Sequence, residues 1–218
     1  MVEAEGVKLG IVNLSLFGEN TAEEWLIESE RLLAQGVEGI VVDVRGNPGG
    51  YLHSVAALVS TLAKDGKVFA YMQNSEGEQK GIETQKLEIE EGYKKKMESL
   101  PLVLLQNEGS ASASEVLSGA LKEWGRATIV GSTSFGKGTV QDSWELSNGG
   151  ELKLSTNRWL TPRREWILGN NVRLREDSST KAEIIINMKK GEQVEIIEEK
   201  DNFYKVKYKE LRDFLYLN

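Results

Sequence analysis

VEGIVVDVRGNPGGYLHSVAALVSTLAK, residues 37–64, joins three different signals in one stretch. VEGIVVDV (37–44) is a nearly continuous apolar run, the pattern of a strand covered on both faces rather than one alternating against water. RGNPGG (45–50) is a turn-rich junction, and YLHSVAALVSTLAK (51–64) reads as a helix. A buried strand passing through a glycine turn into a helix is the unit of an α/β fold with parallel strands.

The same alternation extends outward. Upstream, VKLGIVNLSL (7–16) predicts a strand. ENTAEEWLIESERLLAQG (19–36) predicts a helix, with Thr21 and Glu24 at capping-box spacing and Gly36 as its stop. Downstream, KVFAYM (67–72) is strand-like. Residues 73–99 then form a polar, charged interval that fits either a solvated excursion or a lid-like insert over a site. The α/β pattern resumes with PLVLLQ (101–106), a helix at about 113–124, ATIVG (127–131) and the loop STSFGKG (132–138). TVQDSWEL and ELKLSTNRWL flank Ser147-Asn148-Gly149-Gly150, a hairpin signal. After TPRREWILG (161–169) only short strand-like segments follow, which predicts a small all-β barrel and a domain boundary near residue 168.

Composition narrows the chemistry. At 218 residues with 39% hydrophobic and 28% charged residues, the chain can bury a core and has a globular balance. Its longest apolar runs fall well short of the about 20 residues a membrane helix takes, and no secretory signal opens it. A formal net charge of −7 argues against nucleic acid as the main partner. There is no cysteine, which removes thiol nucleophiles and disulfides, and His53 is the one histidine. A conventional zinc site lacks its ligands, and no cofactor is expected. A serine nucleophile would therefore need His53 or a base of another kind.

Three segments can carry chemistry. NEGSASASEV (107–116) puts small residues between a strand and a helix, where a serine would meet free backbone N–H groups and the positive end of the helix dipole. Ser110, Ser112 and Ser114 could equally be helix caps. STSFGKGTVQ (132–141) holds Lys137 between two glycines; its spacing is not that of a phosphate-binding loop. Lys137 is either a solvated surface lysine or, desolvated by its surroundings, a base for serine, with Gln141 able to hold its amine. DVRGNPGG (43–50) either supplies backbone donors to an oxyanion or is a plain turn with an Asp43–Arg45 ion pair.

VVDVRGNPGG, NEGSASASEVLSGAL, GRATIVGSTSFGKGTVQ and LKLSTNRWLTP, in that order across residues 7–167, resemble the core of the carboxyl-terminal processing (tail-specific) protease family. The resemblance implies a crotonase-like α/β core with a mixed sheet and helices, and a Ser/Lys endopeptidase. Its nucleophile falls on Ser112, its base on Lys137 and its glutamine on Gln141. The oxyanion hole falls on the N–H groups of Ala113 and of Gly49 or Gly50. The family normally carries a PDZ domain that binds substrate C-termini, and these residues offer no stretch for one, so that recognition is not carried over.

NVRLRED, KKGEQVEII, FYKVKY and a terminal FLY resemble a bacterial SH3-like domain over 169–218. Such modules often bind cell-wall peptidoglycan or peptides; here Phe203, Tyr204 and Tyr208 are either barrel core or ligand groove. The expectation is a core at 1–168 followed by this module. Its substrate would be a polypeptide bound as an extended strand, cleaved without ATP through an acyl-enzyme, outside the cytoplasm. The family commonly self-associates, so a homo-oligomer is among the implied partners. The alternative is a latent or inactive core that serves as a peptide- or wall-binding module.

Overall fold

The computed structural model describes residues 1–146, 148–167, 172–175, 184–188, 195–200, 203–207 and 215–217. Strand β1 (Val2–Ala4) turns back onto β2 (Val7–Asn13), and α1 (Thr21–Ala34) leads to β3 (Gly39–Asp43). There follow α2 (Leu52–Leu62), β4 (Val68–Gln73), β5 (Gln79–Glu83), α3 (Glu91–Ser99), β6 (Leu102–Gln106), α4 (Ala113–Glu123) and β7 (Thr128–Gly131). A hairpin of β8 (Thr139–Glu145) and β9 (Glu151–Leu160) follows, closed by hydrogen bonds between Leu146 and the Gly149–Gly150 turn.

The first sheet has the order β1-β2-β3-β6-β7; β2, β3, β6 and β7 are parallel and β1 is antiparallel. Because the parallel strands add in chain order, right-handed crossovers carry their helices to one face. That face is the core: Ile40, Val42, Leu102 and Leu104 lie on it, each buried. Helix α2 packs against α1, α3 and α4, which explains why it is buried nearly all round. Helix α4 offers Ala113, Val116, Leu117, Ala120 and Leu121 at helical spacing. A second, antiparallel sheet has the order β5-β4-β9-β8, with β8 at its edge.

Three expectations change. The opposite face of β3 is not sealed among the described residues. Val41, in register with Ile11 and Val103, is only half-buried, while Ile11 is 44% and Val130 46% exposed. The apolar run reflects a sheet whose second face is apolar but open. The Thr21–Glu24 capping box does not form either. Asn20 is the N-cap of α1, and Thr21 Oγ1 instead accepts the Gly18 N–H and donates to Leu16 O, which ties down the preceding loop. Finally, residues 73–99 are not a cover. They contain β5 and α3, and α3 buries Tyr93 and Met97 in the main core. A helix with six charged or polar residues among nine can still be a core element, because two apolar residues one turn apart anchor it.

The chain divides into two compact units, Met1–Ile167 and Leu168–Asn218. In the second, the described strands β10 (Val172–Arg175), β11 (Ile184–Met188), β12 (Glu195–Lys200), β13 (Phe203–Lys207) and β14 (Leu215–Leu217) form an antiparallel sheet in the order β11-β10-β14-β13-β12. This is the small all-β module the sequence suggests. Tyr208 and the side chains of Phe203 and Tyr204 lie outside the described residues.

Since Met97 has no exposed surface, Met97→Ala is expected to cost about 2–5 kcal/mol. Urea denaturation followed by tryptophan fluorescence measures this; a change within about 0.5 kcal/mol would be that of a surface position and would return α3 to the role of a cover.

Candidate active site

Parallel strands end together, so the loops that follow them share one end of the sheet, where α/β folds place their ligands. Asp43 is in register with Leu105, and Gln106 with Gly131. The turn after β3, the loop after β6 and the loop after β7 therefore begin at one level. These are the three segments picked out for their chemistry.

Asn47, with no exposed surface, joins the first two. Its Nδ2 donates to Leu14 O at 2.7 Å, and its Oδ1 accepts the Gly49 N–H at 2.8 Å. Its backbone oxygen accepts the Ala111 N–H at 2.9 Å and the Ser114 hydroxyl at 3.0 Å. Ser110, also fully buried, donates to Val44 O at 2.7 Å. Ser110 and Ser114 are thus spent on holding the two loops together.

Ser112 lies between them with φ +52° and ψ −113°, a left-handed conformation for a residue with a side chain, and it is the N-cap of α4. Strain of this kind costs of order 1–3 kcal/mol and collects at functional sites. Gly49 (φ +107°) presses against it: a Cβ there would come 2.8 Å from Ser112 Cβ and 3.0 Å from Ala113 N. Glycine is what lets the two backbones meet. The N–H groups of Ala113 and Gly50 have no partner among the described hydrogen bonds, and Gly50 is exposed. The Gly49 N–H is committed to Asn47 Oδ1. Of the two glycines expected as donors, Gly50 is therefore the one with a free N–H, because the asparagine turn captures the other.

The loop carrying Lys137 docks on this unit through its backbone. The Phe135 N–H donates to Ser110 O at 2.9 Å. The Gly136 N–H donates to Glu115 Oε1 at 2.5 Å and the Lys137 N–H to Glu115 Oε2 at 2.8 Å. That same Oε2 accepts the Ser112 N–H at 2.7 Å. Gly138 then passes so close to Ile167 that a Cβ would sit 1.7 Å from its carbonyl oxygen.

Ser112, Ala113, Gly49, Gly50 and the Lys137 backbone are brought together; the Lys137 side chain is not enclosed. Lys137 and Gln141 are exposed, and among the described residues no hydrogen bond joins Lys137 Nζ to Ser112 or Gln141. Glycine-flanked Lys137 is held through its backbone, while its side chain stays exposed among the described residues. Gln141 sits on edge strand β8, beside a register shift between Val140 and Gln141. Glu115 and Asn47 escaped the sequence reading. Ser112 and Glu115 have the S-x-x-E capping-box spacing, which was there to be read; nothing in the sequence marks Asn47 beyond its place in a turn.

Asp43, at the end of β3, is buried and paired with Arg45, whose Nε and Nη2 reach its two oxygens at 2.9 and 2.6 Å. Hydrogen bonding from this guanidinium holds the Asp43 carboxyl below its ordinary value. A lowered carboxyl stabilises the fold above the usual carboxylate range, and that contribution is lost as pH falls through the lowered value. Arg45→Ala should therefore move acid unfolding to higher pH, modestly and less so in high salt because Arg45 is exposed; tryptophan fluorescence against pH measures it. Asn47→Ala orphans Leu14 O and the Gly49 N–H, at about 1–3 kcal/mol for each, read by chemical denaturation.

Residues 8–177 match the peptidase family S41 model, and residues 170–212 match the bacterial SH3 domain model. The chain is 38% identical over 165 residues to the carboxy-terminal processing protease CtpB of Bacillus subtilis (strain 168), covering 76% of this chain and 33% of that protein. It is 33% identical over 166 residues to a probable CtpA-like serine protease of Staphylococcus aureus (strain COL), covering 76% and 32%. Among solved structures, the photosystem II D1 C-terminal processing protease superposes with a TM-score of 0.65 at 34% identity, over 73% of this chain and 39% of that one. The chain thus spans about a third of the length of the curated relatives it matches. The chain belongs to peptidase family S41.

Proposed function

We propose that this chain is a serine endopeptidase that cleaves polypeptides through an acyl-enzyme, with Ser112 as nucleophile and Lys137 as general base. The observation that carries this reading is Ser112 itself: strained, at the N-terminus of α4, with the unpartnered N–H groups of Ala113 and Gly50 beside it. The family membership of the core supports the reaction class.

In this mechanism the neutral Lys137 Nζ takes the proton from Ser112 Oγ as Oγ attacks the scissile carbonyl. The carbonyl oxygen becomes an oxyanion held by the Ala113 and Gly50 N–H groups and by the dipole of α4. The C–N bond breaks, and the amine leaves with the proton returned by Lys137. Water, deprotonated by the same lysine, then hydrolyses the ester. Gln141 holds the lysine amine.

Substrate lies as an extended strand along the open edge of β8, by strand addition. This strand starts just after Lys137 and carries Gln141. Trp144 and Leu152, a cross-strand pair, together with Leu154 form an exposed apolar surface on the same hairpin, suited to apolar substrate side chains. A chain laid there also covers Lys137 and supplies the desolvation that the free protein lacks.

Residues 1–168 and 169–218 act as separate domains in this reading, with the SH3-like one binding peptide or peptidoglycan outside the cytoplasm; the bacterial SH3 match supports this. Among the described residues no helix is long and apolar enough to cross a membrane.

A fluorophosphonate probe incubated with the purified chain should label Ser112, located by peptide mass spectrometry. Ser112→Ala should abolish cleavage of an unfolded protein substrate, and Lys137→Ala should lower kcat at least about 100-fold with the circular dichroism spectrum unchanged. Wild-type turnover by either variant would end the Ser/Lys reading.

A further inference from the structure

We propose that Glu115 is a positioning residue: its carboxylate clasps the backbone of Ser112 to the backbone of Gly136 and Lys137, and so fixes the two loops from which nucleophile and base act. This rests on the Ser112/Lys137 reading above.

Glu115 is 3% exposed, and among the described ion pairs it has no cationic partner. A buried carboxylate without a counter-ion is costly unless hydrogen bonds satisfy it. Three backbone N–H groups do so at 2.5–2.8 Å, within the range of charge-assisted bonds. The positive end of α4 adds to this, since Glu115 stands in its first turn.

Helix capping alone would require one of these bonds, that from Ser112 N. The other two come from a loop more than twenty residues further along the chain. One atom, Oε2, accepts from both Ser112 and Lys137, so their backbone nitrogens cannot separate without breaking a bond to a buried charge. The Lys137 side chain has no described partner of its own, so its aim follows from where its backbone is held. The other described ties between the two loops, from the Phe135 N–H to Ser110 O and from the Ser132 hydroxyl to Glu108 Oε2, act two and five residues before the lysine. The clasp also engages the N–H of the strained Ser112, opposing its relaxation to a right-handed conformation.

Two variants separate the clasp from simpler roles. Glu115→Gln preserves volume, but its single carbonyl oxygen can serve at most two of the three donors and its amide opposes the third. Glu115→Asp keeps the charge at the helix N-terminus, and its shorter arm withdraws it from the loop. A space-filling residue predicts wild-type behaviour from Gln, and a purely electrostatic one predicts it from Asp. The clasp predicts that both fail alike.

The experiment uses the whole chain and combines amide hydrogen exchange with peptide-cleavage kinetics. In the wild type, the Gly136 and Lys137 amides should exchange at least tenfold more slowly than those of Thr133 and Ser134, which donate no described hydrogen bond. Both variants should lose that protection, and kcat should fall at least tenfold with KM within about twofold. Wild-type exchange at Gly136 and Lys137 as fast as at their loop neighbours overturns the proposal without any variant having to fold. Glu115→Gln or Glu115→Asp with wild-type exchange and kcat overturns it equally. If Ser112→Ala and Lys137→Ala leave cleavage intact, the dyad reading fails, and the clasp is judged by exchange alone. If they abolish cleavage while the Glu115 variants keep wild-type kcat and exchange, only the clasp fails.

Discussion

Asn47 sets the distance between the two halves of the candidate site. Both ends of its buried side chain and its backbone oxygen are bonded, to Leu14, Gly49, Ala111 and Ser114. The Gly49 backbone is thereby pressed against Ser112, a contact that tolerates no Cβ. Every other feature of the site inherits this constraint. Ser112 takes its strained conformation against a glycine wall, with the Ala113 N–H beside that glycine.

The electrostatics of the site are backbone electrostatics. With a single histidine in the chain and Lys137 on an open loop, charge near Ser112 is managed by N–H groups and a helix end. Glu115 draws three such donors onto one carboxylate, and Asp43 next to the glycine turn is satisfied by Arg45. Backbone donors are held by the fold rather than by side-chain rotamers, so they lose little by being ordered in advance for reaction. The open edge of β8 fits the same logic, since an added strand would meet a row of backbone groups already in place.

Much of the fold was legible because its signals are local. The strand at 37–44, the glycine turn, the helix after NEGSASAS and the Asn148–Gly150 hairpin each follow from residues adjacent in sequence. The readings that failed needed longer-range information. An apolar run marks a strand as apolar on both sides, but whether something covers the second side depends on the rest of the fold, and Val41 proves half-open. Charge density suggested that 73–99 stands away from the core, yet Tyr93 and Met97 suffice to anchor α3 in it. Thr21 and Ser112 stand at the same capping-box spacing; only at Ser112 does the glutamate reach back, because there the Lys137 loop fills its remaining acceptors.

Residue types and their spacing thus determined the α/β class, the separate all-β module and the short roster of groups able to do chemistry, since propensity, patterning and the absence of cysteine are properties of the chain itself. Tertiary structure decided which of those groups meet. It spent Ser110 and Ser114 on bracing, took the Gly49 N–H for Asn47, made Glu115 the link between the Ser112 and Lys137 loops, and left Lys137 itself uncovered. Proximity between loops far apart in sequence is set by strand order and register, and no local pattern of residues encodes it.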